Sequence, residues 1–398
     1  MFIASPATSI ASPAMFIASP ATSIASPAMM RIAVDARALL GQSTGIGTYT
    51  RGIALALAAR GGLEVGLFTP RKISDPPPCD GALTLHADRH RFGTVWLQTT
   101  LPGRASAWRA DALLAALTIG PARGDTPFVS VVHDLTAITH PEWHAARTLI
   151  GFLPLWEATV DRASRFLCVS ETTARELASR YPETRGRVTV ARNGVDPEFT
   201  PLSDGAGAER TRRRFAGGRR YILYLGTLEP RKNVETLVAA CERLWARRRA
   251  RPDLVLAGGA GWKSSTLHSR IAHSPFRDKI HVAGYAPRSV AVDLYRAADV
   301  FVYPSLAEGF GLPVAEAMAC GIPVVASDIE ALREVGGAAV TFVPPRDAAA
   351  FALEIERALE DDATRRMLSE AGPRRAALFT WTDAAERTAT VLAEAAAA

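Results

Sequence analysis

Apolar residues in this chain fall into short unbroken runs, each followed by a glycine-containing turn and then by a segment with one apolar face. The runs 30–35 (Met-Arg-Ile-Ala-Val-Asp), 128–132 (Phe-Val-Ser-Val-Val), 221–228, 253–257, 280–283 and 298–304 are short and rich in β-formers. Such runs predict strands buried on both faces, as in a parallel sheet, where polar alternation is lost. The run 221–228 leads through Glu229-Pro230-Arg231-Lys232-Asn233 into an amphipathic helix predicted over 234–249. Gly45-Ile46-Gly47 opens a helix predicted over 49–59, and Pro313 suits the first turn of another, where a missing N–H costs nothing. The repeated cycle of strand, glycine turn and helix predicts an α/β fold of doubly wound sheets with ligands at the carboxyl ends of the strands.

Candidate chemistry concentrates at those strand-to-helix junctions. Glu308 and Glu316 flank Gly309-Phe310-Gly311-Leu312-Pro313 directly after a strand. Free backbone N–H groups and the positive end of the helix dipole attract an anion there, and glycine lets it approach. A carboxylate at each end can accept hydrogen bonds from sugar hydroxyls, although the same spacing suits a plain helix-start turn with solvated acids. Arg231 and Lys232 stand at another such mouth: a planar fork and a mobile point charge, suited to a diphosphate, although adjacent basic residues also suit a solvated surface. His133 ends the strand 128–132 and points into the ligand crevice, or is a packed residue; Asp134 either orients its imidazole or caps a turn.

The segments Leu225-Gly226-Thr227-Leu228-Glu229-Pro230-Arg231-Lys232-Asn233, Gly284-Tyr285, and 304–313 continuing through Glu316 to Gly321 resemble, in order and context, the donor half of the retaining glycosyltransferases of family 4. The resemblance implies the GT-B architecture, two Rossmann-like doubly wound domains facing across a cleft. It implies that Arg231 and Lys232 bind a nucleotide-sugar diphosphate, that Glu308 and His133 lie beside the transferred sugar, and that Glu316 holds the ribose hydroxyls. The backbone amides of Phe310, Gly311 and Leu312 complete the phosphate cradle, and the Gly45 and Gly47 loop approaches it from the other domain. The expected division is 1–28, 29–203 (acceptor-side domain), 204–380 (donor-binding domain) and 381–398, a final helix returning to the first domain.

The implied activity is transfer of a hexose to a hydroxyl of a glycan or lipid-linked acceptor, with retention of configuration and no metal or cofactor beyond the donor; the resemblance favours mannose from GDP-mannose and leaves UDP-glucose, UDP-N-acetylglucosamine and dTDP-deoxysugars open. A nucleotide-sugar epimerase or phosphorylase of the same architecture, or a non-catalytic scaffold subunit of a glycan-assembly complex, are the alternative readings.

The remaining features narrow this picture. At 398 residues and 48% hydrophobic, the chain suits two domains. Its four cysteines have no Cys-x-x-Cys spacing, which favours reduced thiols. The pairs His86/His90 and His140/His144 have i to i+4 spacing, but they read as loop histidines without a third metal ligand. No Gly-x-Ser-x-Gly elbow, Walker phosphate loop or Asp-x-Asp motif is present. Residues 1–14 repeat as 15–28, uncharged and without the basic start of a secretory leader, so this stretch reads as disordered or as a start-site duplication. Net charge is +6, and the basic residues are nearly all arginine; those in 210–220 read as a solvated linker or helix face rather than a nucleic-acid site. No apolar run reaches membrane-spanning length. The expected location is the cytoplasm, with peripheral contact at the inner face of the membrane through the apolar segment 149–156.

Overall fold

The computed structural model describes Met1 and residues 29–42, 44–202, 205–247 and 252–398. The duplicated segment beyond Met1, the expected boundary at 203–204 and the last turn of the helix predicted to residue 249 lie outside the described residues.

The first domain is built on a seven-stranded parallel sheet. Its strands are β1 (Met30–Asp35), β2 (Leu63–Thr69), β3 (Leu83–Ala87), β4 (Ala112–Ala115), β5 (Phe128–Val132), β6 (Arg165–Cys168) and β7 (Val188–Val190), in the order β3-β2-β1-β4-β5-β6-β7. The second carries a six-stranded parallel sheet of β8 (Tyr221–Leu225), β9 (Asp253–Ala257), β10 (Ile280–Gly284), β11 (Val300–Tyr303), β12 (Val324–Ser327) and β13 (Thr341–Val343), in the order β10-β9-β8-β11-β12-β13. Helices cover both faces, so Tyr221 to Tyr224 and Val300 to Tyr303 are buried without alternation. In each sheet the chain runs outward to one edge and then returns to the other side of its first strand. That reversal leaves a crevice at the carboxyl ends of β1 and β4, and of β8 and β11.

Two devices tie the domains together. The last helix, Trp381–Ala396, packs on the first-domain helix Gly45–Ala59, with ion pairs Arg60–Glu386 (2.8 Å) and Arg165–Glu394 (3.1 Å). The Trp381 ring occupies the space beside Gly52, where a Cβ would lie 2.3 Å from it, and its indole N–H donates to Asp196. On the opposite side Glu334, from the second-domain helix Glu330–Gly336, accepts the backbone N–H groups of Glu171 (3.1 Å) and Thr172 (3.2 Å) and the Arg192 guanidinium (3.0 Å). A carboxylate of one domain thus caps the first-domain helix Glu171–Arg180 at its positive end.

Of the arginines in 210–220, Arg219 binds Asp253 and Arg220 binds Asp299, so these two are tied to the amino-terminal ends of the interior strands β9 and β11. The segment 149–156 lies within the helix Ala146–Arg162: Trp156 is fully buried, whereas Ile150 and Leu153 face outward at 77% and 38% exposure. No helix among the described residues is long and apolar enough to cross a membrane.

Candidate active site

The loop leaving β8 folds into a tight turn at Pro230–Lys232, closed by Asn233 in the left-handed conformation (φ 54°). Asn233 holds that shape by donating to the carbonyls of Pro304 (2.9 Å) and Pro345 (2.6 Å), and Leu306 N–H donates to Arg231 O (2.8 Å). These bonds lash the β8 loop to the loop leaving β11. The consequence is a compact ionic cluster at the switch point of the second sheet. Lys232 Nζ donates to Glu308 Oε1 (2.6 Å) and to the Tyr303 hydroxyl (2.8 Å). Arg231 reaches Glu308 (3.3 Å), Glu229 (3.0 Å), the carbonyl of Ala307 (2.9 Å) and, across the cleft, Asp134 (3.9 Å).

Charge balance in this cluster is set by competition between burial and pairing. Burial raises the Glu308 carboxyl, but Lys232 and Arg231 outweigh it and hold the group below the ordinary glutamate value. Burial, and then the charge of Arg231, depress the Lys232 ammonium in spite of Glu308. Asp134 is likewise raised by burial and lowered further by Arg231 and by two bonds from Thr136, from its N–H (2.9 Å) and its hydroxyl (2.6 Å). Asp134 therefore caps a turn and does not orient His133. The imidazole Nε2 of His133 lies 2.8 Å from the carbonyl of Ala116, which can only accept, so Nε2 carries the proton. Burial keeps the ring below the usual histidine pKa, and its edge packs on Tyr49 at 4.9 Å between centroids. A neutral, fixed imidazole positions a neighbour; it does not donate a full charge.

Beside the cluster, and between the domains, lies a cavity of about 670 Å³. The first domain lines it with Thr44, Gly45 and Arg51, the second with Gly226, Gly258, Arg288 and Glu316. Gly45 begins the helix Gly45–Ala59 and Leu312, another lining residue, begins the helix Leu312–Ala319. Neither helix start is capped by a side chain and neither first turn holds an acid. Two positive helix ends, one from each domain, therefore abut one space. Gly311 makes the second turn possible: its φ is +93°, and a Cβ there would lie 2.4 Å from Leu332. Glu316 receives the Tyr295 hydroxyl at 3.1 Å, and burial pushes its carboxyl up to about 7.

Residues 43–199 match the family model described as Glycosyltransferase Family 4, and residues 207–375 that of glycosyl transferases group 1. The O-antigen chain mannosyltransferase B of Escherichia coli is 32% identical over 260 residues, 65% of this chain and 68% of that protein. The chain belongs to glycosyltransferase family 4. A D-inositol 3-phosphate glycosyltransferase of Kineococcus radiotolerans is 29% identical over 401 residues, covering 87% of this glycosyltransferase and 90% of its relative. Among solved structures, sucrose-phosphate synthase from Thermosynechococcus elongatus superposes with a TM-score of 0.74 at 23% identity, over 92% of this chain and 98% of that one. WaaG, a glycosyltransferase of lipopolysaccharide biosynthesis, gives 0.72 at 17% identity over 91% and 99%. At those identities the likeness establishes the fold, and that fold is GT-B.

The site residues expected from the glycosyltransferase resemblance fall into three groups. Arg231, Lys232 and Glu308 meet in the ionic cluster, while Gly45, Leu312 and Glu316 line the cavity. Gly47, Phe310, Gly311 and His133 do not line it; Phe310 packs on Phe379 at 5.4 Å. The two glutamates of the glycine turn thus face different surroundings, Glu308 among cations and Glu316 against Tyr295. Sequence reasoning passed over Tyr303, Glu229, Tyr295 and Arg288. Tyr303 carried a signal, as the last residue of a strand at the switch point. The histidine pairs are engaged elsewhere: His86 lies on β3, not in a loop, and stacks on Phe68 at 4.5 Å, while His144 meets the Thr136 hydroxyl at 3.1 Å. Among the described residues no group of three or more His, Cys, Asp or Glu side chains is arranged to hold a metal ion.

Proposed function

We propose that this glycosyltransferase moves a hexose, mannose from GDP-mannose, onto a hydroxyl of a glycan or lipid-linked acceptor, with retention of anomeric configuration and without a metal or other cofactor. The observation that carries the reading is that the β8 loop serves both the ionic cluster, through Arg231 and Lys232, and the cavity, through Gly226, while Glu308 of the loop after β11 enters the cluster and the helix that follows it gives Leu312 and Glu316 to the cavity. A nucleoside diphosphate in the cavity would meet the helix starts at Gly45 and Leu312, and its ribose hydroxyls would donate to Glu316. The bridging phosphate end would approach Arg231 and Lys232, which can turn from Glu308 toward the leaving diphosphate. The mannosyltransferase relative supports the sugar.

In the step proposed, the bond from C1 to the diphosphate oxygen breaks and a bond from C1 to the acceptor oxygen forms on the same face. The acceptor proton passes to a donor phosphate oxygen. Negative charge grows on the diphosphate and positive charge on C1, so the two cations, once turned to the diphosphate, and the fixed helix ends lower the barrier. His133 and Glu308 position the sugar and stabilise C1.

The test is a thermal-shift and calorimetric screen of GDP-mannose, UDP-glucose, UDP-N-acetylglucosamine and dTDP-sugars. Donor hydrolysis is then followed with and without EDTA, and the product anomer is read by NMR. Binding of none of these nucleotides would sink the reading; loss of activity in EDTA would sink its metal-free part. Cytoplasmic location and peripheral contact with the inner membrane face belong to the same proposal, supported by outward Ile150 and Leu153 and a net charge of +6. Failure to bind anionic vesicles at low salt would remove that part.

A further inference from the structure

A second cavity, of about 550 Å³, opens between the domains and shares no lining residue with the first. His140 and Trp143 of the first domain form one wall; Leu306, Pro344, Pro345 and Arg346 of the second form the other. We propose that it is the acceptor subsite and that it holds one pyranose unit of a glycan, an inference that rests on the glycosyl-transfer reading above.

Three features argue for a sugar. The His140 and Trp143 rings stack 3.9 Å apart at 16°, which makes a rigid flat platform. The negative π face of such a ring attracts the polarised C–H face of a pyranose. The platform is anchored to the second domain through its backbone, Trp143 O accepting the Trp262 indole N–H and Glu142 O accepting Lys263 Nζ at 2.6 Å, while the His140 ring is fixed from its own loop by the Glu142 carboxylate at 3.1 Å. Among the described residues the Trp143 Nε1 and the Arg346 guanidinium make no hydrogen bond, so donors for ring hydroxyls stand at the rim of the platform. Asp347, the neighbouring acid, is committed as the cap of the helix Ala348–Glu360, accepting Ala349 N (3.0 Å) and Ala350 N (2.9 Å). The volume falls within the roughly 300–1,000 Å³ of ordinary ligand sites.

Position argues for an acceptor. Leu306 N–H is bonded to Arg231 O, and Pro345 O to the Asn233 side chain, so the cavity wall is one residue removed from the cations of the reacting centre. Because each domain supplies one wall, the subsite exists only when the domains are together, which couples acceptor binding to closure.

The probes are methyl α-D-mannopyranoside and an α-linked mannobiose, followed by saturation-transfer NMR with the full chain and GDP present. The expected result is saturation transfer to the pyranose ring, with a dissociation constant raised about tenfold by Trp143→Ala and by Arg346→Ala and recovered in part by Trp143→Phe, which keeps the ring and lacks the N–H. Circular dichroism checks that each variant is folded. No transfer to either probe in the wild type, or transfer unchanged in both alanine variants, overturns the proposal. Calorimetric GDP binding, read separately, reports on the donor reading alone.

Discussion

Lys232 Nζ lies 2.6 Å from Glu308 Oε1, with the two side chains only 10% and 8% exposed, and the pair joins residues 76 positions apart. A diphosphate drawn to Lys232 and Arg231 therefore competes with a carboxylate already in place. Substituting either cation with alanine is expected to lower kcat on the order of 10²-fold, as for loss of one preorganised donor to a developing anion. Steady-state rates within tenfold of wild type in both single variants would refute the role.

Glu308→Gln separates binding from chemistry. It removes the competing charge and keeps the shape, so calorimetry should show GDP bound at least as tightly as by the wild type, while turnover falls. The variant also leaves two buried cations with less compensation. Breaking a buried pair costs about 3–5 kcal/mol, part of which Glu229 and Asp134 offset here, so a drop in Tm without nucleotide and its recovery with GDP are expected. Weaker GDP binding would show that Glu308 assists the diphosphate rather than competing with it.

Glu316 makes the enzyme sensitive to pH near neutrality. Its carboxyl is raised by burial from 4.5 to about 7. A raised folded-state pKa means that the native protein holds the proton more tightly than the unfolded chain. The stabilisation is fully present below pH 4.5 and is lost as pH climbs through 7, by on the order of 3 kcal/mol for a shift of this size. Ribose hydroxyls prefer the ionised carboxylate, so nucleotide affinity should change in the opposite sense, strengthening from pH 6 to pH 8. Calorimetry across that range, with Glu316→Gln as reference, checks both signs. An equally steep profile in the glutamine variant would assign the dependence to another group.

Glu334 fastens the domains through the amides of Glu171 and Thr172 and the guanidinium of Arg192. Glu334→Ala leaves those donors without their acceptor, at a cost of about 1–3 kcal/mol to the interface. Each core is untouched, so the Tm should change little while small-angle scattering shows a larger radius of gyration and donor KM rises. An unchanged radius and KM would mean that the last helix alone sets the spacing.

Much of this fold is legible in the residues because parallel strands covered on both faces must be apolar throughout. The stretches 30–35, 128–132, 221–228, 253–257, 280–283 and 298–304 stand out for that reason, and each overlaps a strand. The four-residue β12 and three-residue β13 are too short to show a period, and they take their places by pairing, β12 with β11 and β13 with β12. At the site, the glycine turns and basic pair were visible as local patterns. Their grouping was not: Arg231 finds Asp134 in the other domain, and Glu316 finds Tyr295, through tertiary contacts that no local spacing encodes. The separation of Glu308 from Glu316 follows the turn at Gly311, which aims the first acid at the β8 loop and the second, a turn into the helix, at the cavity.

Gly309 offers the sharpest test of closure as a catalytic requirement. A Cβ at this position would lie 1.5 Å from the carbonyl oxygen of His133 and 3.4 Å from the Asp134 side chain, both in the opposite domain. The clash is with backbone, so no rotamer change relieves it, and the first domain must retreat. Because neither sheet carries the residue, Gly309→Ala should fold with a Tm close to wild type. GDP contacts supplied by the second domain should survive, whereas those from the Gly45 helix start and the approach of Asp134 to Arg231 should be lost. The expected pattern is a fall in kcat on the order of 10²-fold or more with a much smaller change in GDP affinity, since misplacing a preassembled site by about an ångström has that effect on rate. A variant that folds and turns over at the wild-type rate would show that the contact between Gly309 and His133 is not part of the working state.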